Sequence, residues 1–99
     1  MIVYEVTALV RPELAATYEA YLRTEHIPDL LATGCFVSAR LTQAGIGRYR
    51  ISYDVADTAS LDRYMAEHAA RLRAEVRERF PDGLSLERDV WTVMQTWPA

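Results

Sequence analysis

His26 is the residue best equipped for proton chemistry: it follows Glu25, precedes the Ile27-Pro28 pair, and has Asp29 three positions on. An imidazole titrates close to neutral pH. Beside a proline disturbance its ring can turn into the space between a helix and a sheet, where a neighbouring carboxylate would orient it for general-base work. A structural role competes with this one, in which the ring caps the disturbed turn or bonds a carbonyl freed by it. Glu5, Arg40 and Arg50 form the second constellation. Two planar guanidinium forks against one carboxylate suit an anionic ligand, and they equally suit an ion-pair network between strands or between two copies of the chain.

Other residues with chemical potential have plainer expectations. Tyr53, with Tyr4 and Tyr49, falls on the alternation that faces a core, where a tyrosine supplies bulk or lines a ligand pocket with its hydroxyl. His68 sits one helical turn after Tyr64, as a packing or boundary residue. Cys35 is expected to be buried and inert. With two histidines and one cysteine, the chain lacks the ligands for a His- or Cys-based metal site, no loop has the spacing of a carboxylate site, and no cofactor is expected. Gly45-Ile46-Gly47 is a hairpin turn without the context of a phosphate loop.

These side chains are set on 99 residues, of which 51% are hydrophobic and 25% charged. This is the composition of an ordinary globular domain, expected to occupy residues 1–99 as one unit. The net charge of −3 offers no general attraction to nucleic acid or anionic membranes. No apolar run approaches the roughly 20 residues of a membrane span. The absence of both Lys and Asn suggests a GC-rich, bacterial genome. A lone cysteine and no secretory pattern at the start make the cytoplasm the expected compartment.

The elements follow from pattern and punctuation. Ile2–Val10 is a strand, and Pro12 opens an amphipathic helix carrying Leu14, Tyr18, Tyr21 and Leu22. Pro28 should break that helix at 26–28 and start a short second piece stopped by Gly34 in a left-handed conformation. Cys35–Ala44 and Arg48–Val55 form a hairpin. Asp57 or Thr58 caps a long helix with a stripe of Leu61, Met65, Leu72, Val76 and Phe80. Leu84–Trp97 is the last strand. The order βαββαβ specifies an α+β, ferredoxin-like fold, a four-stranded antiparallel sheet with two helices on one face. Strand alternation places Cys35, Val37, Ala39 and Leu41 inward and Phe36, Ser38, Arg40 and Thr42 on the open face. Val3, Glu5, Thr7, Leu9 and Arg50 share that open face. An RNA-binding module of the same order would need aromatics there, whereas Tyr49 and Tyr53 point under the helices.

Gly34-Cys35-Phe36 before the second strand and Asp57-Thr58-Ala59-Ser60-Leu61 at the later helix resemble the dimeric α/β-barrel superfamily, which includes antibiotic-biosynthesis-monooxygenase-like domains. MIVYEVT at 1–7, HIPDLLATGCFVSARL at 26–41 and RYRISY at 48–53 look like a small bacterial family of unknown function, a likeness running from Met1 to about Phe80. The resemblance implies a homodimer in which two sheets face each other as a barrel, and brings no assigned substrate or catalytic residue. Characterised relatives hold small hydrophobic molecules, haem or lactones, and their monooxygenase and haem-degrading members rely on a pocket Asn that this chain does not possess. The combined expectation is a homodimeric small-molecule-binding protein, extending to a cofactor-independent enzyme, with a cleft near His26. The alternative is a non-catalytic assembly or regulatory module that packs this cleft shut.

Overall fold

In a computed structural model describing residues 1–99, Ile2–Val10 forms β1, Ser38–Gln43 forms β2, Arg48–Val55 forms β3 and Leu84–Thr92 forms β4. All neighbours are antiparallel, in the order β2-β3-β1-β4, with the helices on one face. This is the ferredoxin-like architecture that the element order specifies. No helix is long and apolar enough to cross a membrane.

The core lies between sheet and helices. From β1 and β3 it takes Tyr4, Val6, Ala8, Tyr49, Ile51, Tyr53 and Val55, the inward set of the alternation. Burying each such large side chain contributes roughly 1.5–3 kcal/mol, so the phase of these two strands is strongly fixed.

The entry to β2 departs from the expected pattern. Pairing begins at Ser38 rather than Cys35, so Cys35–Val37 is free of the strand's two-residue alternation. Phe36, expected on the open face, is 8% exposed and packs between Tyr53, tilted at 41°, and Tyr64, edge-on at 63°, with centroids 5.0 and 4.8 Å away. Val37, expected inward, is 63% exposed. An aromatic ring gains more from the core than a valine does, and an unpaired backbone allows the exchange.

The first helical region runs as a single-turn 3₁₀ segment at 12–14, α1 (Ala15–Tyr21), a π-turn (Leu22–His26) and α2 (Ile27–Ala32). Pro28 therefore does not break the helix. The backbone widens just before it, and the Ile27 N–H donates to the Leu22 carbonyl five residues back. Thr24 Oγ1 meanwhile donates to the Ala20 carbonyl at 2.8 Å. Gly34, at φ +75°, stops α2 as expected.

The second region is α3 (Thr58–Glu67) followed by α4 (Ala69–Arg79), rather than one continuous helix. Asp57 caps α3 by accepting from the Ser60 N–H at 2.8 Å. The helical geometry lapses only at His68, whose φ is −127°. The buried stripe passes through Leu61, Tyr64, Ala69, Leu72 and Val76, so Met65 lies outside it and is exposed. Strand β4 ends at Thr92 instead of Trp97, and 93–99 carry no regular structure.

Candidate functional site

The π-turn delivers His26 to the helix–sheet boundary. Its ring stacks on Tyr21, centroids 5.7 Å apart at 27°, and Tyr21 is covered on its own part by the Arg79 guanidinium 5.2 Å from the ring. Arg79 also holds Glu25 at 2.8 Å, which takes that carboxylate away from the imidazole. Asp29 makes no hydrogen bond to the ring, so the expected orienting carboxylate is absent. No freed carbonyl takes its place either: Nδ1 of His26 is buried without a partner. Burial lowers the pKa of His26 from 6.5 to about 4; Asp29 opposes the shift and Arg88 adds to it. The imidazole is therefore neutral near pH 7, a hydrogen-bonding group and a weaker base than an ordinary histidine.

His26 borders a small cavity of about 20 Å³ between the helices and the sheet, walled also by Tyr4, Tyr18, Tyr53 and Tyr64. Tyr53 is 0% exposed, yet its hydroxyl has no hydrogen-bond partner. Burial raises the pKa values of Tyr18, Tyr53 and Tyr64, which keeps all three phenols protonated. Arg73 of α4 donates through Nη2 to the Tyr4 hydroxyl at 3.1 Å and leaves a buried Nε with no acceptor. Arg88 completes the polar wall from β4, opposite Val6. Three buried polar atoms thus lack partners, and all belong to residues of one cavity wall.

Glu5, Arg40 and Arg50 lie on the opposite side of the sheet from Tyr53, so the sequence-derived ligand set divides in two. Arg50 Nε approaches Glu5 Oε1 at 3.6 Å. Arg40 lines up with Ser52 and, across it, Glu5, but forms no ion pair of its own. Charge on this outer face is partly segregated: Arg40, Arg48 and Arg50 stand on β2 and β3 with one acid, Asp54, which accepts from the Ser38 hydroxyl at 2.7 Å, whereas Glu87 and Asp89 stand on β4, the latter beside Glu5. Leu9 and Trp91 share the face at 53% and 55% exposure. Elsewhere, Cys35 is buried as expected, and His68 stacks on Tyr64 as a boundary residue. No group of three or more His, Cys, Asp or Glu side chains is arranged to hold a metal.

The family described as "Domain of unknown function (DUF4286)" matches residues 1–94. The chain belongs to the DUF4286 family. Among solved structures, this DUF4286 chain is similar to a variant of SnoaB, a cofactor-independent oxygenase from Streptomyces nogalater, at 17% identity and TM-score 0.74, covering 99% of this chain and 98% of that one. It is also similar to a dimeric ferredoxin-like protein from an uncultured marine organism, at 6% identity and TM-score 0.73, covering 99% and 98%. A protein of unknown function from Nitrosomonas europaea matches at 17% identity and TM-score 0.66, covering 99% and 94%. No curated protein matches the sequence. The resemblance carried by 1–7, 26–41 and 48–53 is borne out at the level of family and fold.

Two polar residues of the DUF4286 cavity, Arg73 and Arg88, escape a reading by motif. A signal for Arg88 does exist: on β4 the inward positions run Leu84, Leu86, Arg88, Val90, and a charge interrupts an apolar alternation. Arg73 follows Leu72 on the edge of the helical stripe, where a long cationic stem is ordinary, and nothing in the spacing distinguishes it.

Proposed function

We propose that this DUF4286 chain is a homodimeric small-molecule-binding protein whose ligand contacts the helix–sheet cavity at His26 and Tyr53. The observation that supports this is the convergence of unpartnered polar groups on one cavity. A native interior rarely tolerates a buried polar group without a partner, and each costs about 1–3 kcal/mol. Three around one space are a recurring mark of a site whose partner is a ligand or water. Neutral His26 would offer a ring nitrogen as a hydrogen-bond acceptor or donor to a bound molecule, and cofactor-independent chemistry is the extension of binding to be tested. SnoaB is described as a cofactor-independent oxygenase. The absence of Asn from this chain leaves His26, the tyrosines, Arg73 and Arg88, not an amide, as the polar equipment of the pocket.

Assembly is the second part of the proposal. The partly segregated outer face is self-complementary: a two-fold axis that lays β4 of one copy over β2 and β3 of another sets Glu87 and Asp89 against Arg40, Arg48 and Arg50 while covering Leu9 and Trp91. Glu5, Arg40 and Arg50 are therefore assigned to this interface. One observation favours the rival assembly module. A cavity of about 20 Å³ holds a single water, so an organic ligand requires the site to open.

Thermal-shift measurements across a metabolite library, on wild type and His26→Ala, separate these readings. The binding protein should show a ligand-dependent rise in Tm that the substitution abolishes, with the unliganded Tm little changed. A lowered Tm with no ligand shift in either protein would overturn the binding reading and favour the assembly module.

A further inference from the structure

We infer that the ligand of this cavity is a small organic carboxylate, gripped by Arg73 and Arg88. The inference rests on the binding reading above and names the chemical class that reading leaves open. The wall contains two guanidiniums and no aspartate or glutamate. Asp29 influences His26 from outside that wall and forms no bond with either arginine. Arg88 makes no ion pair or hydrogen bond to any other residue, although it occupies an inward position of β4 between Leu86 and Val90. Arg73 donates through Nη2 to the Tyr4 hydroxyl and to the Met65 sulfur and keeps Nε buried with nothing to accept it. Arg88 is exposed, so water meets its charge and leaves its guanidinium available at the cavity mouth; the group in deficit is the buried Arg73 Nε, which an anion would satisfy.

The remaining groups agree with an anion. His26 is neutral and burial keeps Tyr53 protonated, so Tyr53 has a free hydroxyl able to donate to a carboxylate oxygen. Planar guanidinium forks match a planar carboxylate in two-point contact better than they match a tetrahedral anion. The size of the cavity assigns the body of the ligand to the edge of β4: the space holds one water, so the head group enters as the site opens, and the body would rest over Leu86 and Val90, the latter exposed on the helix-facing side.

Calorimetric titration with benzoate, benzamide and inorganic phosphate tests this on the intact protein. Benzoate should bind, benzamide, nearly identical in shape but uncharged, should not, and phosphate should be weaker than benzoate. Arg88→Gln should weaken benzoate about tenfold or more, the effect of losing one charge-assisted contact, without lowering the unliganded Tm. Arg77→Gln, on the exposed side of α4, should leave benzoate affinity unchanged. Equal binding of benzamide, preference for phosphate, or an Arg88→Gln protein with wild-type affinity would each overturn the carboxylate assignment while leaving the broader binding reading to the metabolite library. No benzoate binding at all would also overturn it, and the binding reading falls with it only if that library too gives no shift.

Discussion

A neutral buried imidazole carries a pH signature that stability measurements can read. The folded pKa of His26 is lowered to about 4 from an ordinary 6.5, so the unfolded chain binds the proton more readily. Stability contributed by the neutral ring is then fully present above pH 6.5 and is lost as pH falls toward 4, by up to about 3 kcal/mol. His26→Gln should flatten that part of the profile relative to wild type; superimposable profiles in denaturant titrations from pH 4 to 7 would place the ring in solvent. Tyr53→Phe gives the converse test. Its hydroxyl has no partner, so deletion should leave stability unchanged or raise it by about 1 kcal/mol in chemical denaturation. A loss of more than that would reveal a bound partner for the hydroxyl. His26 and Tyr53 were legible in the sequence because a proline disturbance and a strand alternation place them. The missing carboxylate partner was not, since Glu25 is diverted by Arg79, 54 positions away in the chain.

At the scale of elements, legibility followed the strength of the local pattern. Strands β1 and β3 occupy the expected residues because each pairs along nearly its whole length in the middle of the sheet. The start of β2 was misread because alternation continues through Cys35–Val37 in the sequence while hydrogen bonding does not. The lapse at His68 has no proline or glycine to announce it, and the π-turn replaces a break because the helix absorbs Pro28 by widening rather than ending. The β2–β3 turn was read correctly, and it makes a sharp demand on Gly47. Its φ is +77°, and a Cβ there would meet the Val10 carbonyl, which lies across the turn whose own carbonyl accepts the Val10 N–H at 2.8 Å. Gly47→Ala should therefore cost about 2 kcal/mol or more, through left-handed strain added to a backbone clash. Thermal unfolding checks this, and a Tm within error of wild type would mean that the turn relaxes freely.

For the whole molecule, the sheet has one covered face and one bare one, and the bare face is not a plain solvated surface. It mixes Leu9 and Trp91 with three arginines on β2 and β3 and two acids on β4, Asp54 of β3 being the acid that stands among the arginines. The proposed homodimer follows from that partial segregation, whereas the sequence alone placed the charges on one face without showing it. Sedimentation at micromolar concentration should find a dimer. Arg40 is the most informative position, because it has no ion pair within its own chain and is free to meet a carboxylate of a second copy. Arg40→Ala should weaken dimerisation by roughly 3–5 kcal/mol if the interface desolvates its partner, since an unpaired buried charge remains. Arg40→Glu should dissociate the dimer outright, through like-charge contact with Glu87 or Asp89. A dimerisation constant indifferent to both changes would show Arg40 to be solvated, and a monomeric wild type would remove the interface altogether.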